Sequence, residues 1–275
     1  MVSERQMTDT QTLNITLNPS GVAAPAQRAA LISSEVVGTA LRALAKDDLS
    51  RPDMQGGHWG YQFNGLTMSD DERRETYQNW LLSKGFQDIA RGIRETLEEA
   101  VLFISLAQRK PCITTLEQFE TDIAEIRANA AKPHFPKLLE TVNAGLTEPL
   151  AFEAEFLSLQ KVRNCLEHRG GCVGVRDIDA SGSLTLSFPR LRIFYRRGDT
   201  EVEVAPGEVI DTHEINDPAH VGKEVPIYIS RVTRVRTYAL SEPVIISASD
   251  FYEIAMACHF FASDLTGKLP TVTVD

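Results

Sequence analysis

No stretch of this 275-residue chain approaches the roughly 18 uncharged apolar residues that a membrane-crossing helix needs, so the sequence predicts no span. Its first twenty residues have no apolar core of the kind a secretory leader carries. They are polar, and residues 1–24 read as a disordered or loosely attached lead-in. Cysteine is sparse: Cys112, Cys165, Cys172 and Cys258 show no Cys-x-x-Cys spacing, which argues against a disulfide framework and against a zinc site. Ligand spacing is absent around His213, His220 and His259 as well, so neither a metal nor another cofactor is expected. These absences together predict a reduced, cytoplasmic protein with no membrane partner.

Basic charge is also short. The net charge is −10, which argues against broad, sequence-blind binding to nucleic acid. The average conceals a local reversal. Between Gln160 and Gly198, Lys161, Arg163, Arg169, Arg176, Arg190, Arg192, Arg196 and Arg197 face only Glu167, Asp177 and Asp179. That segment suits a polyanion even though the whole chain does not.

What is present is an ordinary globular composition, 43% apolar and 24% charged, long enough to bury a core. Helical periodicity runs from about Pro25 to Lys46. Arg51 to Gly65, with Trp59, Tyr61 and Phe63, reads as a loop. Ser69-Asp70-Asp71-Glu72 has the capping-box pattern and predicts a helix to Leu82, with Lys84-Gly85 as its stop. Phe86, Ile89, Ile93, Leu97, Ala100, Val101 and Ile104 form the stripe of a second helix. Further helices are predicted from Thr114 to Ala131, from Phe135 to about Leu146, and from near Ala151 to Arg169-Gly170-Gly171. Period-two alternation then takes over at Ser183–Phe188, Leu191–Arg197, Glu201–Val204 and Val225–Tyr238, with Pro243–Ile246 also strand-like. This predicts a small antiparallel sheet of four to six strands. A last helix runs from Ser247 to Leu265. The expectation is a mainly α (α+β overall) protein: a helical bundle from residues 25–172 plus 247–268, with a β-rich insertion at 173–246.

One stretch carries chemistry. An Arg separated from a following His by four to six residues is uninformative alone, and composition predicts about one such pair. Three occur. Arg51 with His58 and Arg127 with His134 span Pro52 and Pro133 in loop-like sequence and are set aside. Arg163 with His168 differs, having Asn164 directly after the Arg, a helical pattern before it and a Gly pair after it. Leu159 to Gly171 resembles the signature of HEPN-domain proteins, an Arg, a polar residue, three more residues and a His on one helix of an up-and-down bundle. The resemblance is sharp over about a dozen residues and general elsewhere. The β-rich insertion is not part of a minimal bundle of that kind.

The resemblance implies a metal-independent endoribonuclease of the toxin or defence type, such as antiphage defence. It also implies a homodimer with its motifs facing across the interface. In that reading His168 is general base or acid, histidine being the side-chain type that ordinarily titrates near neutrality. Arg163 stabilises the charge gathering on the phosphorane-like transition state. Asn164 orients His168 or holds a phosphate oxygen. Arg169, Arg190 and Arg192 are candidate RNA-binding residues, and an inhibitor or antitoxin protein is an expected partner. On an ideal helix Arg163 and His168 point some 140° apart, so they converge only if the helix ends by His168 or a second subunit contributes. A different reading makes the chain a non-catalytic binding module, with the insertion holding a protein or nucleotide partner. In a third, Arg163 is a structural ion pair with Glu153, Glu155 or a glutamate of the 86–107 helix.

Overall fold

The computed structural model describes residues 15–46, 49, 68–110, 112, 114–204 and 225–271. The expected loop at Arg51–Gly65, most of the lead-in, His58, His213 and His220 lie outside them. The described residues form six helices and a three-stranded antiparallel sheet: α1 (Pro19–Ala45), α2 (Asp70–Ala107), α3 (Leu116–Ala130), α4 (Phe135–Gly145), α5 (Glu153–His168), β1 (Ser183–Arg197), β2 (Thr200–Glu203), β3 (Tyr228–Ala239) and α6 (Ala248–Gly267).

The long helix α2 is the spine, touching α1, α3, α4, α5 and α6. Its start is the expected capping box: the Ser69 hydroxyl accepts from the Glu72 N–H, and the Glu72 carboxylate accepts from the Ser69 N–H at 2.9 Å. The predicted stop at Lys84-Gly85 is not one. Gly85 lies mid-helix and is buried, and a Cβ there would stand 2.6 Å from the Phe251 ring and 2.9 Å from Val37. It is a site of close helix approach rather than a terminator.

Gly92 does the same one face further on, where a Cβ would meet the Ala29 Cβ at 2.6 Å and the Pro25 carbonyl oxygen at 3.0 Å. Opposite it, α1 presents Ala23, Ala26 and Ala30, all buried. This helix begins at Pro19 rather than Pro25, so residues 19–24 belong to the bundle and not to the lead-in. Asn18 caps it by accepting from the Ser20 N–H at 3.0 Å. Pro25 lies inside it and costs a backbone donor. The ladder is patched there from outside, by the buried Thr96 hydroxyl accepting from the Ala26 N–H at 3.0 Å.

The sheet has the order β2-β1-β3, fewer strands than the four to six expected. Ser183–Phe188 and Leu191–Arg197 are a single strand, and Pro243 makes only an isolated bridge to Cys172. Pro189 is tolerated inside β1 because β2 pairs only with Phe194–Arg197, leaving that side of the strand open. On the same side the Ser187 N–H donates to the Ser158 hydroxyl of α5 at 2.6 Å, and that hydroxyl donates to the Thr185 carbonyl at 3.0 Å. A helix side chain thus satisfies the strand edge.

The β-rich stretch shares its core with the bundle. Leu184, Leu186 and Phe188 are fully buried in one cluster with Phe156, Leu159, Phe251 and Phe261. Further along, the same face turns ionic. Asp250 of α6, 3% exposed, accepts two hydrogen bonds from Arg236 at 2.8 Å and one from Arg234 at 3.3 Å. Burial opposes ionisation of that carboxyl, but the bonds from Arg236, Ser247 and Arg234 outweigh it and hold the group below its ordinary range. On Glu253 the same burial prevails, raising it despite Arg234 and Arg190.

Two outcomes follow from this packing. Gly92→Ala should lower stability by about 1–3 kcal/mol in a urea titration, because neither the Ala29 methyl nor the Pro25 backbone can swing aside. Gly21→Ala, with nothing within 4 Å, should stabilise by up to about 0.5 kcal/mol. The lowered Asp250 group contributes stability that is present above about pH 4 and lost as pH falls below it. Asp250→Asn should therefore be less stable than wild type at neutral pH, with the gap closing below about pH 3.

Candidate active site

Helix α5 carries the Arg163-Asn164-His168 motif and is held on its other faces. Phe156, Leu159, Val162 and Cys165 are buried, and the buried Gln160 donates to the Ala90 carbonyl of α2 at 2.6 Å. Its N-cap, Phe152, adopts a left-handed conformation with φ 60° and offers no side-chain cap. The helix ends at His168. Beyond it the Arg169 and Gly171 N–H groups both reach back to the Cys165 carbonyl, at 3.1 and 3.2 Å, and Gly170 and Gly171 take φ of 64° and 78° to turn the chain.

That ending brings the motif together. Arg163, Asn164 and His168 line one cleft of about 610 Å³, so the helix end allows convergence within one chain. The other walls come from Arg94 of α2, His134, Phe135 and Pro136 at the start of α4, and Arg169, Arg176 and Asp177 of the turn after α5. Leu157, Gln160 and Lys161 complete the lining.

Arg163 is half-buried on α5. Its side chain is 25% exposed and pairs with Glu167, one turn on in the same helix, rather than with Glu153, Glu155 or a glutamate of α2. It also donates to the Asn164 side-chain oxygen at 3.2 Å. His168 is 60% exposed, and its Nε2 lies 3.7 Å from the same Glu167 carboxylate.

The three expected RNA-binding arginines fare differently. Arg169 lines the cleft, but its Nε and one terminal nitrogen donate to Asp177, which is 1% exposed and also accepts from the Gly174 N–H at 2.9 Å. It builds the wall instead of offering a free charge. Arg190 and Arg192 do not reach the cleft. Arg190 pairs with Glu203 and Glu253, and Arg192 pairs with Glu201 and Glu203 and stacks over Phe194 at 4.7 Å. Arg190 and Arg192 are thus neutralised in place, while Arg231 of β3 is exposed and forms no salt bridge among the described residues.

Lys161 and Arg176 are exposed on the cleft and, among the described residues, hold no salt bridge. Asp177 is the one carboxylate among the described residues that lines the cleft, and Arg169 occupies it. Sequence reasoning missed His134, set aside because Pro133 placed it in a loop, and Arg94, whose role depends on distant backbone. Arg94 pairs with Glu98 at 2.8 Å and donates to the Ala131 and Pro133 carbonyls at 2.9 and 3.1 Å, fixing the turn that presents His134. Nothing in the local sequence signalled either contact.

The motif cysteines are inert as placed. Burial pushes the Cys165 thiol up, and it donates to the Cys172 carbonyl at 3.3 Å. Among the described residues no group of three or more His, Cys, Asp or Glu side chains is arranged to hold a metal ion, and no helix is long and apolar enough to cross a membrane. Comparison with protein-family models, curated proteins and solved structures finds no match.

Removing the buried carboxylate should collapse this wall. Asp177→Asn leaves Arg169 without its ionic partner, and thermal unfolding should show a loss of about 2–3 kcal/mol. Asp88→Asn, which breaks the half-exposed pair with Arg91, should cost under about 1 kcal/mol.

Proposed function

We propose that the chain is a metal-independent endoribonuclease that cuts RNA by attack of its own 2′-hydroxyl. The observation that carries this reading is the meeting of Arg163, Asn164 and His168 in one cleft. Two further cations line it, Lys161 and Arg176, and neither forms a salt bridge among the described residues. A phosphodiester is the chemistry such a lining suits: unpaired cations draw the phosphate in, and the imidazole handles the proton.

In this mechanism His168 takes the proton from the 2′-hydroxyl, and the oxygen attacks the adjacent phosphorus. Glu167, beside the ring, complements the positive charge that His168 acquires. The guanidinium of Arg163 meets the growing charge on the phosphoryl oxygens. Asn164 holds Arg163 on one side and leaves its amide N–H groups for a phosphate oxygen. DNA lacks the nucleophile and is not cut.

The HEPN-like resemblance of the motif supports the same reading. With it come a cytoplasmic toxin or defence role, a homodimer whose motifs face one another, and an inhibitor or antitoxin that restrains the activity. The alternative, a non-catalytic module whose β-rich segment holds a protein or nucleotide partner, would use a sheet on which Arg190, Arg192, Arg234 and Arg236 are paired with carboxylates and Arg231 is exposed.

The test is cleavage of a mixed RNA in EDTA by purified protein free of bound inhibitor. Wild type is expected to cut, His168→Ala to lose at least about 100-fold in rate, and Arg163→Ala to lose on the order of 10–100-fold. RNA with a 2′-deoxy residue at the cut site should be untouched. A wild type that cuts nothing, or a His168→Ala that cuts normally, defeats the reading.

A further inference from the structure

Transesterification of RNA moves two protons. One leaves the 2′-hydroxyl, and one must reach the departing 5′-oxygen, which as a bare alkoxide is a poor leaving group. The Arg163-Asn164-His168 motif supplies one imidazole. The cleft contains two, His168 at the end of α5 and His134 at the start of α4.

We infer that His134 is the general acid of this site, so that one protomer holds a complete acid–base pair. The inference rests on the ribonuclease reading above. His134 is exposed on the cleft wall as the N-cap of α4, yet its side chain makes no capping hydrogen bond, so the ring is not consumed by the helix it begins. Its position is nonetheless fixed. Arg94 grips the Ala131 and Pro133 carbonyls just before it, and Phe135 and Leu138, both buried, anchor the helix just after it.

With His168 taking the first proton in the reading above, the second imidazole of the same cleft is left to supply the second. Glu167 stands 3.7 Å from His168. His134 shares its cleft with Lys161 and Arg176 and with Arg94 and Arg163, which pair with Glu98 and Glu167, and the lining carboxylate Asp177 is taken up by Arg169.

The step balances. A bond forms from the 2′-oxygen to phosphorus as the bond from phosphorus to the 5′-oxygen breaks. The 2′-hydroxyl proton passes to His168, and the His134 proton passes to the 5′-oxygen. The products are a 2′,3′-cyclic phosphate and a 5′-hydroxyl end. Water then exchanges the proton from His168 to His134 before the next turnover.

A leaving group that needs no proton isolates the claim. Wild type, His134→Ala and His168→Ala would be assayed in EDTA on two matched oligoribonucleotides, one with the ordinary 5′-oxygen and one with sulfur bridging at that position. His134→Ala should lose at least about 100-fold on the oxygen substrate and stay within about tenfold of wild type on the sulfur substrate. His168→Ala should lose on both. Because the His134 ring makes no capping bond, the variant should match the wild type in melting temperature, which circular dichroism checks. If His134→Ala cuts the oxygen substrate normally, or loses equally on both, His134 is not the acid and the inference fails while the ribonuclease reading stands. A wild type inactive on both substrates overturns that reading and this one with it.

Discussion

Everything at the cleft depends on how α5 is held. A helix that carries a charged motif on one side can aim it only if its remaining sides have nowhere else to go. Phe156, Leu159, Val162 and Cys165 lock one side into the core, and Gln160 reaches the Ala90 carbonyl of α2. Ser158 fastens the helix to the exposed edge of β1 through the Thr185 carbonyl and the Ser187 N–H. Each tie satisfies a group that would be costly to leave unpaired, so the orientation of Arg163, Asn164 and His168 is a by-product of satisfying the interior.

The second constraint is electrostatic. The chain is acidic overall, yet its basic residues cluster between Gln160 and Gly198. The fold divides that cluster in two. On the sheet, Glu201, Glu203, Asp250 and Glu253 meet Arg190, Arg192, Arg234 and Arg236, and the buried Asp250 turns the pairing into a tie between sheet and α6. At the cleft Asp177, Glu167 and Glu98 are each engaged with an arginine. Of the basic residues between Gln160 and Gly198, Lys161 and Arg176 form no salt bridge among the described residues, and both line the cleft.

What the sequence made legible was local. The caps at Ser69, Thr115 and Ser247 announce their helices, because a hydroxyl three residues ahead of the N–H that donates to it is encoded within one turn. The motif, its helix and the Gly170-Gly171 turn are equally local. Gly85 misled because a stop and a close-packing site look alike until Phe251 and Val37, far off in sequence, are brought against it. His134 was hidden for the same reason, since Pro133 marks a loop but cannot say that Arg94 will pull that loop against α5. Arg190 and Arg192 find Glu201 and Glu203 across the turn into β2, and Arg190 also reaches Glu253 of α6, pairings that only the register of the sheet and its packing on α6 bring about. Signals carried by one turn of chain were readable, and those that needed a tertiary partner were not.

The β-rich segment is part of the site rather than an addition to it. Its first residues leave α5 at Gly170-Gly171 and are sewn to the far end of the sheet. The Val173 N–H donates to the Glu242 carbonyl at 3.0 Å, the Ser241 N–H donates to the Val173 carbonyl at 2.9 Å, and the Val244 N–H donates to the Gly171 carbonyl at 2.8 Å. The turn so fixed delivers Arg176 and Asp177 to the cleft. Asp177 then holds Arg169 in place, and Leu184, Leu186 and Phe188 behind it close the core on which α5 rests. A bundle stripped of this segment would lose one wall of the cleft, one of its free cations and the backing of the helix that bears the motif.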